Sequence, residues 1–91
     1  MPDLAASDFA PGQEYRVGSD DEAVTLRVDK VEVLPQAVRE AGSFRLELTG
    51  PENPPLEQAT YRMTREDETR EIFIVPIARE AGAMRYEAVF N

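Results

Sequence analysis

Apolar residues recur at every second position along most of this chain. Val24, Leu26 and Val28 alternate with Thr25, Arg27 and Asp29; Phe44, Leu46 and Leu48 alternate with Arg45 and Glu47. Ala59, Tyr61 and Met63 alternate with Thr60 and Arg62, and Met84, Tyr86, Ala88 and Phe90 alternate with Arg85 and Glu87. A period of two is the mark of a strand with one buried and one wet face. Residues 72–75 form an unbroken apolar run, which predicts a central strand covered on both faces. The run that ends in Phe90 predicts an integral strand, with Tyr86, Val89 and Phe90 buried.

Turn-forming residues separate these runs: Gly18-Ser19-Asp20-Asp21, Ala41-Gly42, the segment 50–55 with three prolines, Glu66-Asp67-Glu68-Thr69, and Ala81-Gly82. The pattern predicts an all-β fold of about six strands in hairpin order. That is a small antiparallel meander, closed into a barrel or folded into a sandwich, in one domain over residues 1–91. Residues 35–41 are the one helix candidate, with Pro35 at the start and Gly42 just past the end; a plain loop is the alternative.

Two places break the alternation. After Val28 the phase slips, and a bulge at Asp29-Lys30 would return Val31 and Val33 to the core. Pro76 cannot donate a ladder bond, so its strand bulges or reaches an edge there. There is also one internal echo. Arg39-Glu40-Ala41-Gly42 recurs as Arg79-Glu80-Ala81-Gly82, and each copy is followed by Arg (Arg45, Arg85) and Glu (Glu47, Glu87) at matching offsets. Chance and shared turn chemistry account for it, since the upstream residues differ; a duplicated hairpin is the other explanation.

Composition narrows the chemistry. The 91 residues contain no Cys and no His. Thiolate nucleophiles, disulfides, Ser–His triads and Cys- or His-ligated metals are therefore excluded. The net charge is −8, from 18 acidic and 10 basic residues. A field of that sign disfavours nucleic acid and anionic membrane surfaces. No apolar run approaches a membrane span, and the acidic first ten residues do not read as a secretory signal, so a cytoplasmic location is expected.

The candidate sites are few. Asp20, Asp21 and Glu22 are a possible calcium cluster, but they lack the alternate spacing and bend glycine of a calcium loop, so a solvated hairpin tip accounts for them. Glu66, Asp67 and Glu68, flanked by Arg65 and Arg70, read as local charge pairing. Tyr15, Tyr61 and Tyr86 are either core residues or a binding platform. Segment 50–55 is either a rigid connection or a polyproline-type docking loop. No catalytic or cofactor motif is present, and no cofactor is expected.

Features along nearly the whole length are similar to a small uncharacterised bacterial domain family that occurs as a stand-alone protein. They include Phe9 with Pro11-Gly12 and Tyr15, Ser43-Phe44 with Leu46, Leu48 and Gly50-Pro51, and Pro55-Leu56 with Gln58, Thr60 and Tyr61. Ile72-Phe73-Ile74-Val75-Pro76 and the ending Tyr86-Glu87-Ala88-Val89-Phe90-Asn91 are the most specific; Ala59 stands where the family pattern has Gly. The resemblance transfers no functional residue. It implies an accessory role beside phage-tail-collar-like proteins, with a component of a tail-like assembly as partner. The expected function is a non-enzymatic protein–protein interaction or structural accessory domain; the alternative is a small-ligand or metal-binding β-barrel module.

Overall fold

The structure is a computed structural model, which describes residues 6–18, 23–34, 43–53 and 55–90. Six strands follow one 3-10 turn at Ala6–Asp8: β1 (Glu14–Val17), β2 (Val24–Val33), β3 (Phe44–Pro51), β4 (Ala59–Arg65), β5 (Glu68–Glu80) and β6 (Ala83–Phe90). All pairings are antiparallel and close a barrel in the order β1-β2-β3-β6-β5-β4. The all-β barrel is the architecture expected, but its path is not a single meander. Two three-stranded meanders, β1–β3 and β4–β6, meet along β3–β6 and are closed by a short β1–β4 seam of two register pairs. Closure removes the edges that a single open sheet would expose.

The interior is filled by alternate residues. Leu26, Val28, Leu46, Leu48, Met63, Ile72, Ile74, Tyr86 and Ala88 are fully buried among one another. Tyr86 keeps its polar end satisfied: its hydroxyl accepts the Leu56 N–H at 2.8 Å, which fastens the segment after the Pro-rich loop across the barrel. Gly50 is needed for space. A Cβ there would sit 2.5 Å from Leu26 Cδ2.

Both interruptions of the alternation are bulges. The β2–β3 register shifts between Val28 and Lys30, and the β5–β6 register shifts between Pro76 and Ala78. The first bulge turns Val31 onto the core, but Val33, at the strand end, stays 70% exposed. The run 72–75 is not covered on both faces. Ile72 and Ile74 are buried, while Phe73 points out of the barrel and is half exposed, because a closed barrel wall has only one dry side. For the same reason Val89 is not buried with Tyr86; it lies on the outer face. The helix candidate at 35–41 lies outside the described residues. Among the described residues, no helix is long and apolar enough to cross a membrane.

Candidate interaction surface

The outer faces of β2, β3 and β6 carry a lattice of charges set by the strand register. Glu47 of β3 stands directly opposite Glu87 of β6. Two like charges in that position repel. The arginines two residues along each strand relieve them diagonally. Arg45 reaches Glu87 at 2.7 Å, Glu47 at 2.8 Å and Glu32 of β2 at 3.1 Å, and Arg85 reaches Glu47 from the other side. The lattice continues to Asp29, which accepts from Arg27 at 2.8 Å and from the Thr49 hydroxyl. Arg45, Glu47, Glu87 and Arg85 are partly buried, while Arg27 at its margin is exposed.

The electrostatics follow from these contacts. Arg45 donates to Glu47 and Glu87, which pushes its guanidinium still further above its ordinary range. The same Arg45 hydrogen bond holds the Glu47 carboxyl below the usual carboxylate value. Burial pushes Asp29 up, but the bonds from Thr49 and Arg27 outweigh it and leave the carboxyl lowered. These charges are committed to each other through charge-assisted hydrogen bonds.

Beside the lattice the face becomes apolar. Phe73, Val75 and Ile77 follow one another on the outer side of β5, with Phe73 50% and Ile77 45% exposed. Val75 is opposite Glu87, at the end of the β5–β6 register. Val89, 46% exposed, is in turn opposite Arg45. Three large apolar side chains are thus exposed on the outer wall of the neighbouring strands β5 and β6, with Arg45 of the lattice opposite Val89 and Thr60 of β4 opposite Phe73. A single exposed apolar residue on a surface is ordinary; several on two paired strands make this wall the candidate contact region.

The residues singled out in the sequence go elsewhere. Asp20, Asp21 and Glu22 lie outside the described residues. Glu66, Asp67 and Glu68 form the β4–β5 hairpin tip, where Glu66 takes φ of 56° and Glu68 pairs with Arg70. Among the described residues no three acidic side chains gather in a way that could hold a metal ion. Tyr15 and Tyr86 are core residues and Tyr61 packs against the core from its edge, so the three do not form a platform. In the Pro-rich loop, Glu52 lies 4.0 Å from Arg79, and Pro54 lies outside the described residues.

The β1–β4 seam opens into a shallow polar cleft of about 410 Å³, lined by Gln13, Tyr15, Arg16, Thr25, Thr64 and Arg65 among others. Beneath it, burial raises the Tyr15 hydroxyl's pKa, against the pull of Arg70 and Arg65.

The sequence named four members of the lattice, Arg45, Glu47, Arg85 and Glu87, as the Arg and Glu that follow each copy of the internal echo, without placing them together. Antiparallel pairing of β3 with β6 does so: each copy supplies one Arg-x-Glu, and the two cross. The apolar surface was missed because 72–75 read as core. The signal that finds it is the alternation itself, which, continued through Phe73, Val75 and Ile77, gives that strand a second apolar face.

No curated protein and no solved structure matches the chain. Residues 4–90, nearly the whole sequence, match the family described as a domain of unknown function, DUF6916, and the chain belongs to that family.

Proposed function

We propose that this barrel is a non-enzymatic interaction domain, an accessory piece of a larger protein assembly, which docks through the outer face of β5 and β6. The observation that carries this is the group Phe73, Ile77 and Val89, each about half exposed on the outer wall of β5 and β6. Burying such side chains contributes about 1.5–3 kcal/mol each. The neighbouring lattice supplies a rigid polar rim of the kind that surrounds an interface centre. The resemblance to proteins encoded beside phage-tail-collar-like proteins makes a tail-like assembly the proposed setting.

The test is affinity capture from the source cells with the wild-type chain and with Phe73→Ser and Ile77→Ser together. A partner retained by the wild type and lost by the double variant supports the reading. Equal retention of the same partner by a correctly folded double variant overturns it.

A second reading, a small-ligand barrel module, rests on the seam cleft. The barrel interior is occupied by the buried side chains described above. Its test is a thermal-shift screen of small polar ligands and of calcium. A saturable rise in melting temperature that Arg65→Gln abolishes would favour it over docking at β5 and β6.

A further inference from the structure

β5 outruns its neighbour on one side of the barrel. Its first half pairs with β4, and that ladder ends with Ala59 opposite Ile74. Its second half pairs with β6, from Val75 opposite Glu87 to Glu80 opposite Ala83. Among the described residues, residues 76–80 therefore have a strand on one side only, and no backbone bond reaches their other margin. The segment before β4 does not continue alongside them: the Leu56 N–H turns instead to the Tyr86 hydroxyl, at 2.8 Å.

The register fixes which way each peptide of that margin faces. Leu34 N–H donates to Ser43 C=O, so the odd-numbered residues of β3 bond to β2 and the even-numbered ones to β6. Leu48 and Tyr86 are then a bonded pair, and Glu87, the next residue, bonds to Val75 of β5. Pro76 follows Val75 and turns its nitrogen and its carbonyl to the open margin. That nitrogen carries no hydrogen. Ile77 is the extra residue of the bulge, so Ala78 is the next to face β6, opposite Arg85, and Arg79 the next to face outward. An incoming strand needs bonding groups at every second residue. Here the first donor is missing and the second is out of step, and the exposed charges of Arg79 and Glu80 follow. The stretch 72–77 is otherwise free of charge and made of Ile, Phe and Val, the kind of sequence that pairs between chains when no Pro interrupts it.

We propose that Pro76 and the Ile77 bulge act as a guard, which keeps the open margin of β5 from adding the β5 strand of a second copy of this chain. Proline, bulges and charged residues are the devices by which sheet edges avoid pairing. The guard confines contact at β5 to its outward side chains and denies it the backbone. It concerns a margin of the strand and not its outer face, so it stands or falls separately from docking through Phe73 and Ile77.

The test restores the missing donor. Pro76→Val supplies an N–H at the margin and keeps an apolar side chain opposite Tyr86; should that chain not fold, Pro76→Ala supplies the same N–H. Sedimentation velocity of the full chain across a range of concentrations should show a dimer or larger fraction several-fold above that of the wild type at the same concentration. In hydrogen exchange, the amides of residues 76 and 79 should gain protection as the variant associates, which an interface made only by outward side chains does not produce. Ile74→Ala separates the guard from stability: it weakens the core beside the margin but leaves Pro76 in place, and should associate no more than the wild type. A folded Pro76 variant whose associated fraction stays at the wild-type level, or an Ile74→Ala chain that associates as strongly as the Pro76 variant, would overturn the proposal.

Discussion

The outer wall of this barrel has two halves with the same backbone and opposite chemistry. On β2, β3 and β6 the outward residues are Glu32, Arg45, Glu47, Arg85 and Glu87, each paired across strands. On β5 they are Phe73, Val75 and Ile77, joined by Val89 at the border. The first half spends its side chains on itself; its arginines are shared among its carboxylates and link three strands. The second half is about half exposed and makes no ion pair among the described residues, so it contributes less to holding the strands together. Polar outward residues can thus be structural, while apolar outward residues are the ones available for contact.

The sharpest way to break this comparison is to go through the wall. Ile74 and Phe73 are adjacent on β5, one inside and one outside. Ile74→Ala should cost about 2–5 kcal/mol by leaving a cavity in a filled core. Against a total of roughly 5–13 kcal/mol for a domain of this size, that is a large fraction, and chemical denaturation will read it directly. A cost below about 1 kcal/mol would mean that the barrel interior is looser than its burial implies.

Arg45→Ala attacks the lattice at its hub. Glu47 and Glu87 would be left face to face without their shared cation. The side chain is partly exposed and screened, so the expected loss is about 1–2 kcal/mol. High salt should narrow the gap between variant and wild type. A variant as stable as the wild type at low salt would reduce the lattice to ornament.

Acid titration tests the same half without mutation. Glu47 and Asp29 have folded-state pKa values below their ordinary 4.5 and 3.8. A depressed carboxylate contributes stability that is present above its unfolded value and is lost as pH falls through the folded one. Melting temperature should therefore be flat from pH 8 to about 5 and decline below about 4.5. Glu47→Gln should make that decline shallower. A transition between pH 6 and 7 would need a carboxylate raised by burial, the opposite of what Asp29 and Glu47 show.

The smallest effect belongs to the apolar half. Phe73→Ser should change stability by no more than about 0.5 kcal/mol, as exposed substitutions do, while removing the capacity to dock. Differential scanning fluorimetry and the capture experiment, run on the same preparation, give both readings. A large loss of stability would show that Phe73 is structural and would merge the two halves into one.

Local patterning carried much of this fold. The slipped phase after Val28 marked a real bulge, and Pro76 marked another, because a break in a period of two has few physical remedies. Alternation located the buried faces of β2, β3 and β6. It misjudged residues 72–75 and Val89, since a short apolar run has the same composition whether a strand has one dry side or two.

What the sequence determined by itself is the class and the excluded chemistry. Alternating apolar residues dictate strands with one buried face, and the absence of His and Cys rules out whole families of sites. Tertiary structure alone decided which strands became neighbours. Pairing β3 with β6 turned two separate Arg-x-Glu stretches into one lattice, closing β1 on β4 made a barrel of two meanders, and the curvature of that barrel left Phe73 and Val89 outside. Each of these depends on contacts between residues distant in sequence, and a periodicity of two constrains the face a residue points to but not the strand it will meet.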